Sequence, residues 1–145
     1  MNELELRFAP TLDNAQWATI AVREIAAAFL RTAGVESAED HGGFISEVEL
    51  ATGEACCNAV KHSPEDLNIT AMVSVVFQLH DSKITIVVSD GNDAFDFSER
   101  EPDFDAIPED GYGIYLMRKV MNKVSYQREN GRNFVIMEKN LIGEE

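Results

Sequence analysis

Glu54, Asn58 and Lys61 stand at i, i+4 and i+7 within EVELATGEACCNAVKH, residues 47–62. On a helix these three share one face, and Glu47, one period earlier, lies on the same stripe. A carboxylate, a carboxamide and an ammonium in one line supply a base, a hard-oxygen metal ligand and a phosphate contact. The opposite side, with Val48, Ala55 and Ala59, is small and apolar, so this helix has its back to a core and its polar stripe to a site. Asn58 in mid-helix needs a reason, because Asn is a poor helix former there. Two further pieces have their own chemistry. Asp90 ends a strand and opens the polar turn Asp90-Gly91-Asn92-Asp93; a carboxylate so placed accepts from an exocyclic amine. Gly111-Tyr112-Gly113 opens a helix, whose backbone N–H groups and dipole favour an anion. Taken singly, each piece fits a blander reading: a solvated helix face, a turn carboxylate, an ordinary glycine turn.

Several elements must position these groups. Leu4, Leu6 and Phe8 alternate with Glu5 and Arg7, which predicts a half-buried strand over 4–8. Pro10 ends it, and Asp13 or Asn14 is placed to cap the next helix. Trp17, Ile20, Ala21, Ile25, Ala28 and Phe29 repeat at helical spacing up to about Ala33, with Trp17 assigned to the core; Gly34 stops the helix. Residues 37–43 read as a polar connection. The second helix is expected over about 42–62, where Pro64 forbids its continuation. Gly53 inside it costs ~1 kcal/mol against Ala, which points to close approach of a backbone or ligand. Alternation over 68–79, a turn at 80–83 and a strand over 84–88 predict a hairpin. Residues 94–110 hold Pro102 and Pro108 and little periodicity beyond Phe95, Phe97 and Phe104, with that Phe95–Phe97 pair assigned to the core. A loop this long in a compact domain is usually functional, such as a lid. A helix follows with Ile114, Met117, Met121 and Val124 on one face, then strands over 124–128 and 133–139 around Asn130-Gly131. The order β-α-α-β-β-loop-α-β-β, without regular βαβ alternation, predicts an α+β two-layer sandwich: a mixed, mostly antiparallel sheet with helices on one face.

The chain has 145 residues, which fits one domain over 1–145. Its 26 acidic and 12 basic residues give a net charge of −14. That argues against nucleic-acid or anionic-membrane binding, both of which need a positive field. Cys56 and Cys57 are adjacent on a helix, where side chains diverge, so the expectation is two semi-buried thiols in a reducing compartment and no intramolecular disulfide. The first ten residues have neither basic nor apolar signal-peptide character, and no apolar run approaches 18 residues. A cytoplasmic protein is the expectation.

The order of the three pieces is specific. Glu54-Ala-Cys-Cys-Asn58-Ala-Val-Lys-His62 resembles the N-box of the GHKL superfamily of ATPases and kinases. Val87-Val-Ser-Asp90-Gly-Asn-Asp-Ala-Phe95-Asp-Phe97 resembles its G1 box, and Gly111-Tyr-Gly113-Ile-Tyr-Leu-Met117 its G2 box. This variant is most similar to the small bacterial anti-sigma-factor serine/threonine kinases of the RsbW type, over roughly the whole chain. The resemblance implies the Bergerat ATP-binding fold, with residues 94–110 as the ATP lid. It implies ATP and Mg²⁺ as ligands, with Glu54 as general base and Asn58 as Mg²⁺ ligand. Asn58, Lys61, Asp90, Asp93, Gly111, Tyr112 and Gly113 would form the ATP site, Asp90 reaching the adenine amine; His62 would be structural, capping or packing at the helix end. It implies a homodimer that phosphorylates an anti-anti-sigma (STAS-domain) partner and holds a sigma factor, with no direct nucleic-acid or membrane contact. The sequence departs from the family pattern in two places. The usual D-x-G is here Asp90-Gly91-Asn92, where Asn is expected to tolerate positive φ. Glu109-Asp110 precede the glycines, and no Lys or Arg stands between Arg100 and Arg118, which leaves Lys61 as the cation for a terminal phosphate. These departures keep a second expectation open, a nucleotide-binding regulatory module with weak or no kinase activity.

Overall fold

The structure is a computed structural model that describes residues 2–35, 38–63, 72–94, 97 and 112–141. Its elements are β1 (Asn2–Phe8), α1 (Leu12–Thr32), α2 (Ala38–Lys61), β2 (Val73–Leu79), β3 (Lys83–Asp90), α3 (Gly113–Val120), β4 (Lys123–Glu129) and β5 (Arg132–Asn140). This is the expected order. The strands form one sheet in the order β1-β2-β3-β5-β4. All four pairings are antiparallel, so the sheet is not mixed among the described residues. It is the α+β sandwich that the element order predicts.

Register explains the core. Val75 pairs with Val88, which pairs with Val135; Phe77 pairs with Ile86, which pairs with Met137. These rows are buried together with Phe44, Val48, Ala55 and Ala59 of α2. Cross-strand apolar rows of this kind stabilise a sheet. Burial of each large side chain contributes about 1.5–3 kcal/mol. The β4–β5 hairpin closes through Asn130 at φ 53° and Gly131 at φ 78°, the paired positive φ of a type I′ turn. Asn-Gly supplies that at low steric cost.

Some expectations are corrected here. Trp17 is not core: it is 70% exposed. The buried face of α1 is Ala15, Ala18, Val22, Ala26, Phe29 and Leu30. Trp17 lies about 100° around the helix from Ala18. Small alanines let α1 lie close against α2, and an indole does not fit there. The α1 cap is Thr11, whose Oγ1 accepts from the Asn14 N–H at 3.1 Å, rather than Asp13 or Asn14. The second helix begins at Ala38, so most of the expected polar connection is helical. Gly53 is not forced by close approach, since an added Cβ would meet only Thr19 at ordinary contact distance, 3.7 Å. Val124 belongs to β4, because α3 stops at Val120. Leu4 is 48% exposed, as an edge strand allows. The strand expected over 68–71, Phe95 and nearly all of the lid expected over 94–110 lie outside the described residues.

Candidate nucleotide site

The site sits where α2, the end of β3 and the start of α3 meet. Ala55, Cys56 and Ala59 bury the back of α2, which turns Glu54, Asn58 and Lys61 away from the core. Glu54 and Asn58 are half-buried and Lys61 is exposed. Glu47 leaves the expected stripe: its carboxylate pairs at 2.7 Å with Lys139 Nζ on β5. Lys139 also donates to the Val120 carbonyl at 2.7 Å, so this pair ties α2, α3 and the sheet together.

Gly113 is the first residue of α3. A Cβ there would come 2.8 Å from Glu54 Oε2 and 3.5 Å from Asn58 Nδ2. The glycine therefore makes room for the helix stripe, and two of the three sequence pieces touch. Tyr112 is the N-cap and its side chain makes no cap hydrogen bond, so it does not take up the first-turn N–H groups of α3. Gly111 lies outside the described residues. Glu54 also lines an open groove of about 340 Å³ between α1 and α2, with Thr19, Ser46, Glu49, Leu50, Gly53 and Cys57. Burial raises the Cys57 thiol pKa, the Glu54 charge adds to the rise, and Lys61 opposes it. Cys57 is exposed while Cys56 is buried, so only one of the two expected semi-buried thiols lies inside. Burial pushes Cys56 up to about 12.

At the other end Asp90 is 4% exposed and pairs in register with Asn133. Asp90 Oδ1 accepts from Asn133 Nδ2 at 2.8 Å and from the Asn92 N–H at 3.0 Å. Asn133 Nδ2 also donates to the carbonyls of Asn92 and Asp93. Its Oδ1 accepts from Arg128 at 2.8 Å and from the Tyr126 hydroxyl at 2.5 Å. Asp93 joins this network through its backbone, and its side chain is exposed. Asn92 is not at positive φ: Asn130 is the only such non-glycine residue among those described. Phe97, assigned to the core, is partly buried against it; it stacks on Tyr126 at 5.4 Å, and Arg118 lies over its ring at 5.4 Å. His62 is exposed at the helix end, its N–H on the Asn58 carbonyl at 3.3 Å.

Asn133, Arg128, Tyr126 and the Asn92 side chain were not among the sequence candidates. One signal was there to find. Asn133 shares the strand phase of the buried Val135 and Met137, and a polar residue in an apolar phase demands partners.

The donor set fits a nucleotide with its metal. Among the described residues no cluster of three or more His, Cys, Asp or Glu stands ready for an ion. A single carboxamide, Asn58, beside a helix start suits Mg²⁺, which takes few protein ligands and keeps phosphates and waters. Among the described residues no helix is long and apolar enough to cross a membrane.

Comparison with known proteins agrees. The model of the histidine kinase-like ATPase domain matches residues 12–139. The serine-protein kinase RsbW of Bacillus velezensis is 36% identical over 109 residues, 69% of this chain and 67% of that protein. The Bacillus subtilis protein of the same name is 36% identical over 110 residues, with the same coverage. A Staphylococcus aureus RsbW is 30% identical over 96 residues, and the match spans 60% of that protein's length. A solved Mycobacterium tuberculosis structure of RsbU and RsbW domains shares the fold at TM-score 0.64 and 16% identity, covering 97% of this chain and 33% of that one. With its boxes, fold and relatives in agreement, the chain belongs to the histidine kinase-like ATPase domain family, in its RsbW-type branch.

Proposed function

We propose that this chain is an ATP-dependent serine/threonine kinase and anti-sigma factor. Its substrate is a STAS-domain anti-anti-sigma protein, its second partner a sigma factor, and its working form a cytoplasmic homodimer. The observation that carries the reading is the meeting of Glu54 and Asn58 with Gly113 at the start of α3. It supports the reading because Glu54, Asn58 and the start of α3 are within reach of one ligand, as base, metal ligand and phosphate contact. When bound, ATP with Mg²⁺ supplies the transferable phosphoryl group and offsets its charge.

The chain's own residues divide the remaining work. Asp90, held through Oδ1, keeps Oδ2 for the amine of the base, and Asp93 borders that end. Asn58 would hold the metal. The first-turn N–H groups of α3, from Gly113 onward, receive phosphate oxygens, with Gly111 and Tyr112 next to them in the sequence and Lys61 adding a positive charge. Glu54 accepts the proton of a serine or threonine hydroxyl that enters along the α1–α2 groove, worth roughly 10²–10⁴ in rate. The net charge of −14 favours partners with basic surfaces over nucleic acid.

The test is incubation with ATP·Mg²⁺ and the cognate anti-anti-sigma protein, read by mass spectrometry. Phosphoserine or phosphothreonine is expected with wild type and lost with Glu54→Gln. Absence of phosphate with wild type, while ADP·Mg²⁺ still binds, sinks the kinase claim and leaves a binding module. Asn58→Ala is expected to weaken ADP binding in Mg²⁺ and to leave metal-free binding unchanged; calorimetry decides this.

A further inference from the structure

We infer that Asn92 is a positioning residue for recognition of the base, acting through Asp90. The inference rests on the nucleotide-site reading above. Asn92 is 5% exposed. Its N–H donates to Asp90 Oδ1 at 3.0 Å, and its Nδ2 donates to the carbonyl of Ala59 at 2.9 Å. Its own carbonyl accepts from Arg128 at 3.0 Å and from Asn133 at 3.2 Å. One residue thus touches the base-reading carboxylate, the helix position next to Asn58, and strands β4 and β5.

The turn itself does not explain the choice of Asn. Residue 92 is outside the positive-φ region, so neither Asn nor Gly is required by the backbone. The family pattern D-x-G places a glycine here, and a glycine cannot make the bond to Ala59. The side chain also carries an unmet cost: its Oδ1 is buried with no hydrogen-bond partner among the described residues. A buried acceptor in that state costs stability, so the gain from Asn at this position lies in the bonds its N–H, Nδ2 and carbonyl make.

Two donors, the Asn92 N–H and Asn133 Nδ2, both take Oδ1 of Asp90. That fixes the rotation of the carboxylate and aims Oδ2 as the acceptor for an exocyclic amine. The Nδ2 bond to Ala59 then sets the spacing between this carboxylate and the Asn58 line. Without the bond the turn shifts from α2, and the amine loses its aligned acceptor while the rest of the nucleotide keeps its contacts.

Calorimetry with two ligands tests this: ADP·Mg²⁺ and purine riboside diphosphate·Mg²⁺, which lacks the amino group. Wild type is expected to prefer ADP by about tenfold, the yield of one well-placed polar contact. Asn92→Ala is expected to weaken ADP about tenfold and the amine-free analogue less than twofold, so that the preference collapses. Asn92→Leu keeps the volume without the amide and is expected to do the same; it serves if the alanine variant unfolds. If both ligands weaken equally, or if the preference survives in a folded variant, the residue is only structural and this inference falls alone. If wild type binds neither nucleotide, the parent reading falls and takes this inference with it.

Discussion

The two ends of the site are built differently. The end proposed to read the base is a dense buried network: Asp90, Asn92, Asn133, Tyr126 and Arg128 share hydrogen bonds across β3, β4 and β5. At the end proposed to bind phosphate, Glu54 and Asn58 lie so close to Gly113 that a Cβ there would meet both. Among the described residues no side-chain hydrogen bond holds either of them. A base is rigid and planar, and a carboxylate fixed in advance reads it without paying to order itself on binding. A phosphoryl group changes charge and geometry as it transfers, and its partners act where charge develops. On the proposed reading, the difference separates recognition, which the fold holds ready, from chemistry, which the ligand and partner complete.

The largest effect on stability is expected at the base end. Asn133→Ala removes five hydrogen bonds at once and leaves the Asp90 carboxylate and the Arg128 guanidinium short of partners. A loss of about 2–4 kcal/mol is expected, since one-sided removal from a buried network exposes the full desolvation penalty. Urea unfolding measures it. Glu54→Gln, at the phosphate end, is expected to change the same quantity by under about 0.5 kcal/mol. Comparable losses at the two ends would break the contrast.

Gly113→Ala comes next. The new methyl would sit 2.8 Å from Glu54 Oε2. The obstacle is the tip of a flexible side chain, so the carboxylate can swing aside. Stability is expected to fall by no more than about 1 kcal/mol, near the centre of the range for single substitutions. Phosphotransfer is expected to fall much more, roughly 10²-fold, because a displaced base by about an ångström loses its alignment. If the variant loses stability and activity in proportion, Gly113 is a packing residue and the phosphate end is less open than described.

Much of this was legible in the residues, for identifiable reasons. Strand alternation placed Val73, Val75 and Phe77 inward, and Asn130-Gly131 marked its turn, because both signals are local. The stripe Glu54-Asn58 and its meeting with Gly113 followed from helical period and motif order. Trp17 was misread because α1 carries two apolar stripes. Size favoured the wrong one, whereas close packing against α2 selects alanines. Glu47 was misread because its partner, Lys139, is 92 residues away. The Asp90–Asn133 network was hidden for the same reason: it depends on β3–β5 register, which no local pattern encodes. Asn92 was noticed for its backbone, yet its side chain is what the structure uses.

The smallest effect expected comes from the two cysteines, which report the same contrast within one helix. Cys56 faces the core and Cys57 faces the open groove beside Glu54. Native protein at pH 8 is expected to take one alkyl group per chain, at Cys57, and two only after unfolding; intact mass measures both. The reaction at Cys57 is expected to be slow below pH 9, because burial and the Glu54 charge raise its thiol pKa. Glu54→Gln removes that charge and is expected to speed it. Cys56 has a thiol pKa near 12 in the fold against 9.0 when free. A raised thiol pKa means that the unfolded chain loses its proton first. The stabilising contribution is thus complete below pH 9 and is lost as pH climbs from 9 toward 12. Cys56→Ala is expected to flatten the pH dependence of stability in that window, and Cys57→Ala to leave most of it. Equal modification of both thiols in the native state would mean that the back of α2 opens as readily as its front.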